Sequence, residues 1–146
     1  MLKRYSTKKR FFIIDGYAFL YRAHYALIRN PLITSYGLHT SALFGFSNML
    51  MKLIKKENPD YIACVFDSKG KNFRHDIYPD YKANRSEMPE EMQEQLVHLW
   101  EILDFMNMPV IKKSGVEADD IIGTLAKNAK DKGLCTFIVS GDKDFT

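Results

Sequence analysis

Three short runs of this 146-residue chain are built almost wholly of apolar and β-branched residues: Phe11–Ile14, Tyr61–Phe66 and Cys135–Val139. Each is closed by turn-forming residues, Asp15-Gly16, Asp67-Ser68 and Ser140-Gly141, so each reads as a short strand. A strand with one wet face alternates apolar and polar side chains, and these do not. They must be covered on both faces, which is the habit of a parallel sheet layered with helices. Pro109–Ile111 is a candidate fourth strand, shorter than the others.

Between the runs the apolar period changes from strand to helix. Ala42, Phe46, Met49, Leu50 and Leu53 mark one helix, and Met92, Leu96, Leu99, Trp100, Leu103 and Met106 a second. Ala118, Ile121, Ile122, Leu125, Ala126 and Ala129 follow the i, i+3, i+4, i+7 spacing of a third. Alternating strands and helices predict an α/β fold of Rossmann-like architecture, a mostly parallel sheet flanked by helices. A chain of this length with 46% hydrophobic residues suffices for one domain with its own core. The segment from Ser68 to Pro89 has neither period and reads as a mobile loop or a marginal helix.

No run approaches the roughly 18 apolar residues of a membrane span, and the basic start is followed by only four apolar residues. A protein that is neither secreted nor membrane-bound, and so cytoplasmic, is expected. Cys64 and Cys135 lie inside apolar runs, away from any C-x-x-C spacing, which predicts two reduced core thiols. The net charge of +3 is small, but its distribution is uneven. Lys3, Arg4, Lys8, Lys9 and Arg10 form a basic extension over residues 1–10, and Lys69, Lys71, Arg74, Lys82 and Arg85 form a second basic group.

Acidic residues gather at the ends of the apolar runs. Asp15 ends the first, Asp67 the second, and Asp142 and Asp144 come after the third; Glu117, Asp119 and Asp120 stand in the first turn of the third helix. At 100° per residue, Glu117 and Asp119 fall on opposite margins of that helix's apolar stripe, and Asp120 points away from its centre. In an open parallel sheet the carboxyl ends of the strands share one edge, where ligands bind. A single acid there is usually a turn residue or a helix cap. Seven together repel one another and call for a counter-charge. Oxygen ligands without His or Cys select Mg²⁺ or Mn²⁺ over zinc, and the chemistry natural to such a site is metal-assisted hydrolysis of a phosphate ester.

Five segments carry a resemblance. Phe12–Ala23, Val65–Asp67, Tyr81–Arg85, Gly115–Asp120 and Ser140–Phe145 resemble, in order, the motifs of the 5′ nuclease domain of bacterial DNA polymerase I, within a wider group of flap endonucleases and phage exonucleases whose fold is PIN-like. The resemblance implies that Asp15, Asp67, Glu117, Asp119, Asp120, Asp142 and Asp144 serve two metal ions. Asp119, Asp120 and Lys82 are then the catalytic residues. It makes Arg22 a phosphate contact, and Tyr81, Lys82 and Arg85 an arch over the 5′ strand, with Arg74 as a further DNA contact in the same basic segment. A cationic, aromatic-bearing loop beside an acidic crevice suits a single strand or flap.

The implied activity is a metal-dependent 5′-3′ exonuclease and flap endonuclease acting on DNA in primer removal and repair. The partner is then 5′-flap or nicked duplex DNA, handled by a monomer. Residues 11–146 correspond to the amino-terminal part of that domain, without its helix-hairpin-helix part, so a noncatalytic DNA-binding fragment is one alternative. A stand-alone PIN-type ribonuclease is another, against which the Tyr81–Arg85 motif weighs.

Overall fold

A computed structural model describes residues 8–67, 88–113 and 116–140, with only the backbone at Asp67 and Lys113. Four strands form one sheet: β1 (Arg10–Asp15), β2 (Tyr61–Asp67), β3 (Val110–Lys113) and β4 (Cys135–Val139). Their order is β3-β2-β1-β4, and every pairing is parallel. The helices are α1 (Gly16–Ala26), α2 (Ser41–Glu57), α3 (Glu90–Phe105) and α4 (Ala118–Asp131). The fully apolar runs are therefore sheet strands, and Pro109–Ile111 is a strand displaced by one residue.

Strand alternation sorts the core into two layers. Phe12, Ile14, Cys64 and Phe66 face α1, α2 and α3, in a cluster with Phe19, Leu20, Phe46, Leu50, Leu99 and Leu103. Ile13 and Val65 face the opposite way and meet Ala118, Ile121 and Ile122 of α4. Side chains such as Phe46, Phe66, Ile13 and Leu20 are fully buried, each stabilising the fold by roughly 1.5–3 kcal/mol relative to exposure. Both faces of the sheet are thus dry along Phe12–Ile14 and Ala63–Phe66, as the unbroken apolar sequence there requires.

Two glycines permit the close approaches in this packing. A Cβ on Gly16 would lie 2.2 Å from Cε1 of Phe66, so only glycine lets α1 start directly above β2. A Cβ on Gly45 would lie 2.6 Å from that of Ala23, where α1 and α2 touch. Ala23 against Gly45, and Phe19 edge-on to Phe46 at 5.8 Å, run in opposite sequence directions and make the two helices antiparallel.

At the amino edge of the sheet, Arg10 ties three elements together. Its Nη1 donates to the Glu57 carbonyl at 2.6 Å and its Nη2 pairs with Glu57 Oε1 at 2.9 Å, closing the end of α2. Its backbone N–H donates to Asp60 Oδ2 at 2.8 Å, and its guanidinium lies over the rings of Phe12 and Phe137. Those rings stack across β1 and β4 with centroids 4.8 Å apart. At the other end of α2 no side chain of the helix's own cap bonds its free N–H groups. Gln95 of α3 fills that role: its Oε1 accepts from the Leu43 N–H at 3.0 Å, while its Nε2 donates to the Glu91 carbonyl at 2.8 Å.

The structure departs from the sequence reading in two places. Helix α1 is absent from the three periodic segments, because Tyr17–Tyr21 is apolar or aromatic at every position and shows no polar face. Cys64 is buried, but Cys135 is exposed, because it opens β4 at the amino edge beside Arg10. The segment Ser68–Pro89 lies outside the described residues except for its last two, of which Met88 packs on the larger core cluster. Among the described residues no helix is long and apolar enough to cross a membrane.

Candidate active site

At the carboxyl edge of the sheet, β1, β2 and β3 each hand the chain on to its next segment. Asp15 closes β1 opposite Val65, so Asp67 stands two residues farther along β2, opposite Lys113 of β3. Asp15 is also the N-cap of α1: its backbone is extended, and its Oδ1 accepts from the Ala18 N–H at 3.3 Å. The bland reading of a strand-end aspartate is thus correct, and it does not compete with the chemical one. Capping occupies one oxygen and fixes the carboxylate's direction.

Glu117 stands at the start of α4, reached from β3 across the same edge. It is the N-cap residue rather than a member of the first turn, with φ −73° and ψ 154°. Its carbonyl accepts from Asp120 and Ile121 at 3.1 and 3.2 Å, and its side chain is only 5% exposed. Asp119 and Asp120 lie in the first turn proper, where the helix dipole favours acids, and both are exposed. The three acids of this turn therefore divide into one buried carboxylate beside the sheet and two that face solvent. By strand alternation Asp15 shares the face of Ile13, which is the face α4 covers, so Asp15 and Glu117 lie on one side of the sheet.

Among the described residues no three His, Cys, Asp or Glu side chains are grouped closely enough to hold a metal ion. Asp142 and Asp144, with the DNA-contact candidates Arg74, Tyr81, Lys82 and Arg85, lie outside the described residues. What the structure brings together is the frame: two strand ends, one buried glutamate and two exposed aspartates, all oxygen donors. Such a donor set fits a hard divalent cation.

Arg22 is exposed on α1, two turns beyond Asp15. The same helix carries a tyrosine row that sequence reasoning overlooked. Tyr17 meets Phe66 edge-on at 5.0 Å, and Tyr21 stacks on Tyr25 at 6.2 Å. The i, i+4, i+8 spacing of Tyr17, Tyr21 and Tyr25 was the available signal, and it was hidden by the apolar residues between them.

Fold and site together define an α/β protein with an acidic carboxyl edge. The chain belongs to the family of the 5′-3′ exonuclease, N-terminal resolvase-like domain, whose family model matches residues 10–146. It is 44% identical over 132 residues to a DNA polymerase I of Caldicellulosiruptor bescii, covering 90% of this chain and 15% of that protein. It is 43% identical over 136 residues to a 5′-3′ exonuclease of Aquifex aeolicus, covering 93% of this chain and 46% of that one. The chain therefore spans less than half the length of either relative. Among solved structures, a T5 5′-exonuclease with bound divalent zinc matches with a TM-score of 0.60 at 22% identity, over 92% of this chain and 49% of that one. A bacteriophage T5 flap endonuclease in complex with DNA and metal ions matches with a TM-score of 0.59 at 21% identity, over 92% and 50%. These two likenesses establish the fold.

Proposed function

We propose that this chain is the metal-site half of a 5′-3′ exonuclease and flap endonuclease that hydrolyses DNA phosphodiester bonds in primer removal and repair. The observation that carries the reading is the placement of Asp15, Asp67 and Glu117 along one sheet edge, in a chain whose family is that of the 5′-3′ exonuclease. Asp15, Asp67, Glu117, Asp119, Asp120, Asp142 and Asp144 are the candidate ligands of two Mg²⁺ or Mn²⁺ ions. A bound divalent ion of this kind supplies charge neutralisation and lowers the pKa of attacking water.

The residues of the chain divide the remaining work. Asp15, fixed by its bond to Ala18 N–H, and buried Glu117 hold donors in place before any ligand arrives. Asp119 and Asp120 reach outward toward the scissile phosphate's side of the edge. Arg22 on α1 takes a neighbouring phosphate, and Arg74, Tyr81, Lys82 and Arg85 hold the 5′ strand, with Lys82 neutralising charge at the reacting phosphate. Tyr17 and Tyr21 offer aromatic surface on the same helix as Arg22. The substrate is 5′-flap or nicked duplex DNA, and the protein acts as a cytoplasmic monomer.

Titration calorimetry with Mn²⁺ tests the metal assignment on the wild type and on Asp119→Ala. Binding heat is expected in the first and a clear loss in the second; equal binding by both removes Asp119 from the site. Cleavage of a 5′-flap DNA compared with single-stranded RNA tests the substrate, and preference for RNA would favour a PIN-type ribonuclease.

A further inference from the structure

A second group of titratable side chains, none of them among the strand-end acids, lines a cavity near the end of α1. His24, near the end of α1, is only 6% exposed and packs edge-on against Tyr25 at 4.8 Å. With His39, Ser41, Glu91, Gln95, Leu27 and their neighbours it lines a cavity of about 60 Å³. That is room for a few waters and no more. The cavity joins four elements: α1, the loop from Leu27 to Thr40, the first residue of α2 and the first turn of α3.

The loop is folded by its own hydrogen bonds, among them Gly37 N–H to the Thr34 carbonyl at 3.0 Å and Leu38 N–H to Thr34 Oγ1 at 2.9 Å. Ile33 and His39 form a single antiparallel bridge, with Thr34 N–H bonded to the Leu38 carbonyl at 2.8 Å around a turn in which Gly37 has φ +94°. Its anchors are Thr40 N–H to the Leu32 carbonyl at 2.8 Å and Leu32 N–H to Ser41 Oγ at 2.8 Å. Outward it exposes Ile28, Leu32, Ile33 and Tyr36. Inward it presents His39, whose Nδ1 is buried and makes no hydrogen bond. Helices α2 and α3 each run toward the amino end of a strand, so their N-termini, and with them this loop, lie on the carboxyl side of the sheet.

We propose that the cavity shared by His24 and His39 is a proton-operated latch: a neutral His24 leaves the 27–40 loop seated against α2 and α3, and proton uptake by His24 releases it. An imidazolium in so small a space loses most of its hydration, and a second one beside it adds repulsion. Burial already holds the His24 pKa below its ordinary value, Glu91 opposes that shift, and His39 reinforces it. Among the described residues lining the cavity, His24, His39 and Glu91 are the titratable ones, so one carboxylate of that set faces two imidazoles. Because the folded pKa lies below the unfolded one, the contribution of His24 is complete above about pH 6.5 and is lost as pH falls below it. Of the cavity's walls the loop is the one that is not a helix, so it opens first.

The latch does not rest on the nuclease reading. Hydrogen exchange by mass spectrometry tests it on the whole chain, at about pH 7.5 and about pH 5.5 with exchange times scaled for intrinsic rate. Peptides covering residues 28–40 should lose protection by up to about tenfold between these two pH values, while peptides of β1 and β2 keep theirs. His24→Phe should abolish the difference, and His39→Gln, which retains a polar side chain, should reduce it. If His24→Phe fails to fold, the wild-type His24 ring titrated by NMR must share its midpoint with loop opening. Equal protection of the loop at both pH values overturns the proposal. So does a loss spread evenly over all peptides, or one that persists undiminished in both variants.

Discussion

Replacing Gly16 by alanine probes the contact that sets the two strand ends side by side. Carbon atoms pack at about 3.5–4.0 Å, and the added methyl would sit 2.2 and 2.3 Å from Cε1 and Cζ of Phe66. Something must move by more than about 1 Å. The Phe66 ring has little freedom to do so, since Trp100 and Tyr17 meet it edge-on at 4.8 and 5.0 Å and Phe46 lies along it at 6.4 Å. Overpacking of a close-fitted core costs about 1–3 kcal/mol, and here the upper half of that range applies. Alanine returns up to about 1 kcal/mol through its helix propensity, less at a first helical position. The net expectation for Gly16→Ala is a loss of about 2 kcal/mol. Trp100 is the sole tryptophan of the chain and touches Phe66, so its fluorescence reports urea unfolding at the relevant place. The midpoint should fall by about 1 M with an unchanged slope. In a Phe66→Leu background the same change should cost at least about 1 kcal/mol less. A Gly16→Ala chain as stable as wild type, or a cost that ignores the residue at 66, would refute the argument.

Gln95→Ala should destabilise the chain by about 1–3 kcal/mol, because it strands the buried Leu43 N–H, and Gln95→Glu should not restore it at neutral pH; chemical denaturation measures both. Burial pushes the Cys64 thiol up to about 12, whereas Cys135 is exposed. An aromatic disulfide reagent should therefore modify one thiol of the native chain rapidly and the second only in denaturant, and fast modification of both would show that β2 opens readily. Replacing Lys82 and Arg85 together by Ala should weaken binding to 5′-flap DNA and flatten its salt dependence, as read by fluorescence anisotropy across a salt series. An unaltered slope would remove those two residues from the phosphate contacts.

The sheet was legible in the sequence because Phe12–Ile14 and Cys64–Phe66 are dry on both sides, which leaves strand residues no polar positions. The α4 stripe was legible for the opposite reason: Ala118, Ile121, Ile122 and Ala129 are buried against polar neighbours that face water. Helix α1 gave no such contrast, since it is pressed between β2 and α2 with tyrosines on its remaining surface. The acidic edge was predictable because Asp at a strand end depends only on where the strand stops. Which carboxylate is buried was not, because Asp119 and Asp120 differ from Glu117 only in lying just past the cap instead of on it. Gln95 and His24 were missed on the same principle. A polar residue buried for its hydrogen bond or its cavity looks, in sequence, like a residue bound for the surface.

The position of β1 at the middle of an all-parallel sheet governs the order in which this chain can acquire structure. Phe11 pairs with Tyr61 on one side and with Thr136 on the other, and Cys64 waits for Val110. None of these ladders closes through a hairpin, so every one encloses a long loop whose entropy is lost before the pairing is gained. Contacts this distant in sequence make for slow folding, in milliseconds to seconds rather than microseconds. On a ribosome, β1 would keep the edge that meets β4 unpaired until β4 emerged, with Phe12 and Ile13 meanwhile lacking part of their cover. Helices α1 and α2, which zip together through Gly45 and Ala23 soon after β1 appears, supply the local structure that shelters it in the interval.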